Sequence, residues 1–393
     1  MEPQKMKLLL FSTYGGGHWQ AARAIGEAFK LRHSHVEVEV INFMEYTPPP
    51  YKRRERHLFL KMLRHHPYVY KYAFQWTHSI NLFPLQRWVT LTTFRRVFTA
   101  LEEKKPSAVV STHPLPAGVM SAFKWYGLTK VPTITVITDH TDHRLWISPL
   151  TDHYLVGSED VKNRLIAAGL KEDKVTVTGI PIRPSFSRPH SRYEACLKYD
   201  LEMDVPTLLI MGGNWGLIKD GVEMVRLLDQ LPMPLQIFFI CGNNDTLWED
   251  LIMEEPKLKN RLIITRYIDE VDQVMAASHL IITKAGGITT TEAIAMEVPI
   301  LLYNPLPGQE EENVKFLLEA GVALLAKDLH DLVNQVEKLL HEPERLEEMR
   351  ERERSFPFKQ SSLFASDVIL SVMQSGGEEP EKRKSILATL LKR

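Results

Sequence analysis

The feature that most constrains the fold is a motif that recurs along the chain: a short apolar run, then adjacent glycines, then a helical pattern. The glycines are Gly15–Gly17, Gly212–Gly213 and Gly286–Gly287. Apolar runs that alternate with helical patterns are typical of parallel strands, because parallel neighbours need a helical crossover. In doubly wound sheets, ligands bind beyond the carboxyl ends of the strands. The motif therefore predicts an α/β protein with a ligand site at those ends.

The strand candidates form two series, separated by a linker with three prolines between Pro181 and Pro189. The series predict two doubly wound, Rossmann-like domains that face each other across a cleft. We expect a first domain at 1–187 with an insertion at 47–100, a second domain at 188–355, a helix at 356–375 that packs back on the first domain, and a mobile tail at 376–393. The candidate strands are Lys7–Ser12, Val36–Ile41, Ala108–Thr112, Thr133–Thr138, Tyr154–Gly157, Val175–Thr178, Thr207–Met211, Gln236–Cys241, Leu262–Thr265, Leu280–Thr283 and Ile300–Tyr303.

Charge and cysteine content exclude several classes of protein. A net charge of −1 gives the whole chain no general attraction to polyanions. Two cysteines, Cys196 and Cys241, are too few for a disulfide framework or a cysteine zinc site and fit a reducing compartment such as the cytoplasm. Because 18 consecutive apolar residues occur nowhere, we expect any membrane contact to be peripheral.

The segment from Thr283 to Asn313 carries the most specific chemistry. Glycines at a strand end let a phosphate approach the backbone N–H groups of the next helix, and threonine hydroxyls add donors. A glutamate one helical turn later suits a pair of ribose hydroxyls, and a glutamine and glutamate in the next loop suit a hexose. Alone, each has an ordinary explanation as a helix cap or an acidic turn; together they predict a nucleotide-sugar site. The residues are Gly286, Gly287, Thr289, Thr290, Glu292, Gln309 and Glu310.

These residues, with further blocks in matching order, resemble a glycosyltransferase family. The family contains monogalactosyldiacylglycerol synthases, processive diacylglycerol glucosyltransferases and the N-acetylglucosaminyltransferase of peptidoglycan lipid-intermediate synthesis. The similarity spans roughly residues 6 to 325, and Ala285 departs from it, because the glycolipid enzymes often have proline there. The further blocks are Gly15–His18, "TDHTDHRLWI" at Thr138–Ile147, "TGIPIRPSF" at Thr178–Phe186, "MGGNWG" at Met211–Gly216 and "RYIDEVDQVMAASHLIITKAGG" at Arg266–Gly287.

The resemblance implies a GT-B fold, with an acceptor domain followed by a UDP-sugar domain, and an inverting transfer that displaces UDP. It places Ile268 beside uracil, Glu292 on ribose, and Gln309 and Glu310 on the sugar. Arg183 is expected near the hinge, where it stabilises the departing phosphate. The residues expected at the diphosphate or the reacting sugar are Gly16, Gly17, Gly213, Asn214, Gly286, Gly287, Thr289 and Thr290.

His18 and Asp139 are the candidate catalytic residues. His18 follows the first glycines at a helix start, where the dipole favours the neutral imidazole that a general base needs. A histidine that only caps the loop is the structural alternative. Asp139, at the mouth of the fourth strand, is the second candidate base; orientation of the acceptor is its alternative role. Interleaved carboxylates and imidazoles from Asp139 to His143 also allow a metal site, but adjacent ligands on an extended loop rarely converge, so we expect neither metal nor cofactor.

The segment Tyr51–Phe98 is rich in basic and aromatic residues, with Glu55 as its only acid. Anionic lipid headgroups attract such a face, and aromatic rings favour the interface. A solvated helical insertion is the main alternative; nucleic acid is disfavoured and is not expected as a partner. The residues assigned to membrane or acceptor contact are Lys52, Arg53, Arg54, Arg56, Trp76 and Trp88.

The sequence thus predicts transfer of a hexose from UDP-glucose or UDP-galactose to diacylglycerol, at the inner face of the cell membrane. Three alternatives stay open. One is transfer of N-acetylglucosamine to an undecaprenyl-linked peptidoglycan precursor. Another is a UDP-N-acetylglucosamine 2-epimerase, which needs no lipid and does not explain Tyr51–Phe98. The third is a non-catalytic nucleotide-sugar sensor.

Overall fold

The computed structural model describes residues 6–13, 16–46, 67–79 and 95–376. Within these residues, twelve strands form two parallel sheets of six. The first sheet has the order β2-β1-β3-β4-β5-β6, and the second has the order β12-β11-β10-β7-β8-β9. The strands are β1 Lys7–Ser12, β2 Glu37–Asn42, β3 Ala108–Ser111, β4 Thr133–Val136, β5 His153–Val156, β6 Val175–Val177, β7 Thr207–Met211, β8 Gln236–Ile240, β9 Arg261–Thr265, β10 Leu280–Thr283, β11 Ile300–Tyr303 and β12 Ala323–Ala326.

Helices cover both faces of each sheet, and short 3₁₀ turns join several elements. The helices are α1 Gly17–Arg32, α2 Pro67–Ser79, α3 Arg95–Lys104, α4 Pro114–Trp125, α5 Glu159–Ala167, α6 Arg192–Lys198, α7 Gly221–Asp229, α8 Asp245–Glu254, α9 Val271–Ala277, α10 Gly287–Ala295, α11 Gln309–Glu319, α12 Leu329–His341, α13 Pro343–Arg354 and α14 Ser361–Ser375. The 3₁₀ turns are Phe43–Tyr46, Arg144–Trp146, Glu172–Lys174, Pro184–Ser187 and Glu255–Lys257. No helix in these described ranges is both long and apolar enough to cross a bilayer.

Strand side chains alternate between two apolar layers, as a sheet covered on both faces requires. In β1, Leu8 and Leu10 join the core beneath α1 and α14, whereas Leu9 and Phe11 join the core on the opposite face. The second sheet repeats this arrangement along β7. The predicted α/β class with two doubly wound sheets is confirmed.

Strand β12 is the one strand of the described sheets that the sequence did not predict. Its four residues, Ala-Leu-Leu-Ala, are all buried or partly buried. Alanine and leucine are strong helix formers, so the local pattern gave no strand signal. Pairing with β11 at the edge of the second sheet sets its conformation instead.

The chain passes between the two sheets twice, and the two crossings lie side by side. Ile182 in the linker donates its N–H to Ser361 Oγ at 3.2 Å, and Ser187 donates to the Lys359 carbonyl at 2.5 Å. After the second crossing, α14 packs on the first sheet. There Asp367 accepts from Arg32 at 2.6 Å and bonds His33 at 2.9 Å.

Candidate active site

The carboxyl ends of the two sheets face each other, and two of the predicted glycines lie where the domains touch. A Cβ on Gly17 would lie 2.7 Å from Ile288 Cγ1, at the start of α10. A Cβ on Gly287 would overlap the backbone oxygen of Thr138. At these positions the absent side chain therefore admits the opposite domain.

Three other predicted glycines line open space between the sheets. A Cβ on Gly16 would meet no atom within 4 Å. Cβ atoms on Gly213 and Gly286 would meet only Lys284, at 3.8 Å from Cε and 3.9 Å from Nζ. Gly15 lies outside the described residues. Open space thus adjoins Gly16, Gly213 and Gly286.

His18 lies in the first turn of α1, as predicted, and its ring is held in place by the first domain. Its Nδ1 bonds Thr138 Oγ1 at 2.7 Å, and its ring packs against His113 and Trp146. Burial lowers the pKa of His18 to about 4, so the imidazole is neutral at physiological pH. A hydrogen bond between the ring and the Thr112 backbone opposes this shift. With the hydrogen on Nδ1, Nε2 presents a lone pair to a substrate proton.

His113 is a neighbour of His18 that the sequence analysis missed. Its Nδ1 accepts the N–H of Leu115 at 3.1 Å and caps α4, so the neutral ring carries its hydrogen on Nε2. The rings of His18 and His113 meet edge to face, with centroids 4.8 Å apart. A signal was available, because His113 follows the carboxyl end of β3.

Both oxygens of the Asp139 carboxyl group are hydrogen-bonded, which is not the arrangement expected of a free base. Its Oδ2 accepts from Gln309 Nε2 at 2.6 Å and its Oδ1 from Asn313 Nδ2 at 3.0 Å, both on α11 of the second domain. Burial raises the pKa of Asp139 to about 6, against the opposing effect of these bonds. In this conformation the carboxyl joins the two domains.

The side chains between Asp139 and His143 diverge and do not form a metal cage. Asp142 pairs with Arg164 at 2.9 Å, and the His140 ring stacks on Phe316 with centroids 3.6 Å apart. His143 Nε2 bonds the Phe74 carbonyl at 2.8 Å. The described part of the chain contains no group of three or more histidine, cysteine, aspartate or glutamate side chains placed to hold a metal ion.

Glu292 is buried, with 7% of its surface exposed, and no donor in the described ranges bonds its carboxyl group. Burial raises the pKa of Glu292 to about 8, while the charge of Arg183 opposes the rise. An unsatisfied carboxyl group at the cleft is free to accept hydroxyls of a ligand.

Arg183 and Ile268 lie on the same side of the cleft as Glu292. Arg183 Nη2 donates to the Asp269 carbonyl at 2.5 Å, and its Nε is buried without a partner. Ile268, partly buried after β9, packs on the core of the second domain. Arg183 thus lies near Asp269 and Glu292.

Gln309 and Glu310 begin α11, and both already have protein partners. Gln309 donates to Asp139, as described above. Glu310 pairs with Lys284 and accepts the Leu306 N–H at 2.7 Å. Lys284 was missed by the sequence analysis, although its position between β10 and a glycine pair was a signal. It provides a cation between the open glycines Gly213 and Gly286.

The structure corrects the expected role of Thr290. This residue is fully buried, and its hydroxyl donates to the Gly286 carbonyl at 2.9 Å, so it supports the loop from behind. Thr289 stays partly exposed at the helix start. The Asn214 side chain accepts from Asn243 Nδ2 at 3.0 Å.

Of the residues assigned to membrane contact, the structure describes Trp76. It lies on α2 with 63% of its surface exposed. Lys52, Arg53, Arg54, Arg56 and Trp88 lie outside the described residues, as does the predicted tail beyond Gly376.

Two family models match the chain, one on each sheet. The model described as monogalactosyldiacylglycerol (MGDG) synthase matches residues 18–182. The model described as the glycosyltransferase family 28 C-terminal domain matches residues 207–363.

Curated proteins and solved structures resemble the chain over nearly its whole length. A processive diacylglycerol beta-glucosyltransferase of Bacillus pumilus is 31% identical, over 92% of this chain and 94% of that protein. The crystal structure of Acinetobacter baumannii MurG matches with a TM-score of 0.60 at 18% identity, over 93% of this chain and 99% of that one. Anabaena Alr3699/HepE in complex with UDP-glucose matches with a TM-score of 0.57 at 13% identity, over 94% and 100%. The two structures share the fold.

Proposed function

We propose a function from one premise: the chain belongs to the glycosyltransferase family of monogalactosyldiacylglycerol synthases and processive diacylglycerol glucosyltransferases. It is a glycosyltransferase that acts on diacylglycerol. We infer further that its donor is UDP-glucose, since the Bacillus pumilus relative is named a glucosyltransferase and the similar HepE structure holds UDP-glucose. The product is then a β-glucosyl diacylglycerol.

The observation that carries the proposal is the contact between the start of α1, which contains His18, and the start of α10 in the second domain. Gly17 touches Ile288 of α10, so His18 and the N-terminus of α10 lie close together. We place the uracil beside Ile268 and the ribose on Glu292. The diphosphate then lies at Gly213, Gly286 and the start of α10, where N–H groups favour an anion.

The chemistry is a direct displacement at the anomeric carbon. The lipid hydroxyl forms the new C–O bond while the bond from that carbon to the diphosphate oxygen breaks, and UDP leaves with the electron pair. Nε2 of His18 takes the hydroxyl proton. Attack from the face opposite UDP inverts the anomeric configuration and converts an α-linked donor into a β-glucoside.

Protein groups supply the positive charge that the departing UDP needs. Lys284 lies between Gly213 and Gly286, and the N-terminus of α10 adds its dipole. We therefore propose that transfer proceeds without a metal ion. In this arrangement Glu310 orients Lys284, while Gln309 reaches the sugar when its bond to Asp139 opens.

The acceptor is a membrane lipid, so we propose that the chain works on the cytoplasmic face of the cell membrane. The basic residues that precede α2 and the exposed Trp76 support contact with an anionic surface. The peptidoglycan and epimerase alternatives are set aside, because the relative with 31% identity is a diacylglycerol enzyme, whereas MurG shares the fold at 18%.

The test is to incubate the purified chain with anionic vesicles that contain diacylglycerol, with UDP-glucose or UDP-galactose, in the presence of a chelator. We expect glucosyl diacylglycerol with a β linkage and no requirement for added metal. A galactosyl product would overturn the donor assignment. The absence of any glycolipid with either sugar, while UDP-glucose still binds, would favour the sensor.

A further inference from the structure

Helix α2 exposes a row of aromatic side chains on one face. Tyr68, Tyr72 and Trp76 have 69%, 71% and 63% of their surfaces exposed. Their spacing of four residues aligns them along the helix. Tyrosine and tryptophan combine an apolar ring with a polar tip, which suits the boundary between water and lipid.

Another face of α2 rests on the loop of the second domain that leads into α11. A Cβ on Gly308 would lie 3.3 Å from Cδ1 of the Phe74 ring, closer than an ordinary van der Waals contact, so the ring packs directly against this glycine. One turn earlier, Lys71 Nζ pairs with Glu311 at 2.7 Å. These two contacts flank Gln309 and Glu310, the residues assigned to the donor sugar.

The same helix is also joined to the first domain, through His143. His143 Nδ1 accepts the Leu145 N–H at 3.2 Å, so its Nε2–H donates to the Phe74 carbonyl at 2.8 Å. The two rings are 4.1 Å apart. Helix α2 thus connects the acceptor domain with the start of α11, where the residues assigned to the donor sugar lie.

From this connection we propose that α2 couples the lipid surface to the donor site: its aromatic row docks on an anionic bilayer, and its Phe74 face then holds the segment Gly308–Glu311, at the start of α11, in the donor-binding arrangement. The inference rests on the proposed function. Charge complementarity identifies the bilayer as the occupant, because the segment directly before α2 contains Lys52, Arg53, Arg54, Arg56, Lys61 and Arg64 with Glu55 as its only acid.

The coupling has a thermodynamic consequence that can be measured without turnover. If membrane docking and donor binding favour the same arrangement of the segment Gly308–Glu311, each strengthens the other by the same factor. UDP-glucose should therefore bind more tightly when the chain is on a membrane, even when that membrane contains no acceptor.

The experiment measures the Kd of UDP-glucose with and without vesicles of phosphatidylglycerol and phosphatidylcholine that lack diacylglycerol, together with cosedimentation. For the wild-type chain we expect cosedimentation and a Kd about fivefold lower on vesicles, within the usual range of coupling between sites. Phe74→Ala should cosediment as well but show no vesicle-dependent change in Kd. Tyr68→Ser/Tyr72→Ser should lose cosedimentation, whereas Tyr193→Ser, an exposed tyrosine on α6, should keep it.

A second set of variants guards against misfolding of Phe74→Ala. Lys71→Glu and Glu311→Lys should each reduce the vesicle-dependent change, and the double variant, which restores an opposite-charge pair, should recover it. The proposal would be overturned if vesicles did not change the wild-type Kd, or if Phe74→Ala kept the full vesicle-dependent change in Kd. A chain that stays in the supernatant, as expected if the aromatic row binds a protein, would also overturn it.

The coupling and the proposed function fail in different ways. A wild-type chain that glucosylates diacylglycerol but shows the same Kd with and without vesicles would refute the coupling alone. A chain that does not bind UDP-glucose under either condition would refute both.

Discussion

At the scale of single residues, the account depends most on the protonation state of His18. Burial in the first domain lowers the pKa of His18 to about 4, so the imidazole is neutral at physiological pH and can accept a proton. Burial causes this shift, and the hydrogen bond to the Thr112 backbone opposes it. Asp139, in contrast, has both oxygens occupied by donors from α11.

We predict that His18→Ala lowers kcat by about 10²- to 10⁴-fold, the usual contribution of a general base, and leaves UDP binding nearly unchanged. The matched control is His330→Ala, an exposed histidine on α12. Steady-state kinetics with diacylglycerol vesicles and calorimetry with UDP measure the two effects. Loss of UDP binding with no separate effect on kcat would instead assign His18 to the donor site.

Glu292 makes donor binding depend on pH. Its pKa of about 8 means that the unliganded protein holds a proton there at neutral pH, whereas the ribose hydroxyls need an ionised acceptor. Affinity for UDP should therefore rise about tenfold per pH unit as the pH increases toward 8, then level off. Calorimetry across this range should also detect proton release on binding.

Glu292→Gln should bind UDP more weakly and show no such pH dependence, whereas Glu319→Gln, an exposed residue on α11, should behave as wild type. The stability of the wild-type fold should depend on pH in the opposite direction from its affinity for UDP. A raised pKa in the folded state means that wild-type stability falls as the pH rises from the unfolded value of 4.5 to about 8. The Glu292→Gln variant should therefore melt at a higher temperature than the wild type near pH 8. An unchanged melting temperature would contradict the buried position of Glu292.

At the scale of secondary-structure elements, the junction between the first-domain loop after β4 and the start of α10 decides how closely the domains approach. The overlap at Gly287 is with a backbone oxygen, which cannot swing aside as a side chain can. A side chain at this position must therefore displace the backbone of one domain or the other.

We predict that Gly287→Ala increases the radius of gyration in small-angle scattering and lowers kcat/KM by more than about tenfold, because displacement of catalytic groups by about 1 Å costs rate heavily. Gly286→Ala is the control for domain separation. Its Cβ would meet only Lys284 Nζ at 3.9 Å, so the radius of gyration should stay at the wild-type value. Equal scattering curves for the two variants would contradict the close approach.

Most elements could be predicted from the sequence, because their signals are local. β1, β7, β10 and β11 begin and end at the predicted residues, and Ser158 caps α5 through a bond from the Val161 N–H at 3.4 Å. β12 could not be predicted, because a neighbouring strand and not its own residues determines it.

In the candidate site, too, the sequence predicted what local residues determine and missed what distant residues determine. Glycines at strand ends indicated where a ligand would lie, but a sequence cannot show which glycines face a ligand and which face the other domain. Nor could it show that Thr290 bonds its own helix, since that depends on the orientation of one hydroxyl group. Asn313 was missed for a related reason: its importance comes from Asp139, 174 positions earlier in the chain.

At the scale of the whole molecule, two adjacent crossings join the domains, and α14 fixes the end of the second crossing to the first sheet. Ala365, Ile369 and Met373 are part of the core beneath β1. The first domain therefore depends on residues that follow the second domain in the sequence.

We predict that Ile369→Ala lowers the free energy of unfolding of the first domain by about 2–5 kcal/mol, the usual cost of this truncation in a core. Calorimetric or urea unfolding measures it. The comparison variant, Leu318→Ala, removes a side chain that is 40% exposed on α11, so it should cost less than about 1 kcal/mol. Equal costs would show that α14 does not complete this core.

The central claim is that a sugar diphosphate lies between the glycine-lined ends of the two sheets, with its reacting carbon toward His18. A crystal structure of the chain with UDP-glucose tests this most directly. We expect ribose oxygens on Glu292, the diphosphate beside Gly213, Gly286 and Lys284, and the glucose within reach of His18 Nε2 through one acceptor oxygen. A nucleotide bound elsewhere, or a glucose directed away from His18, would contradict it.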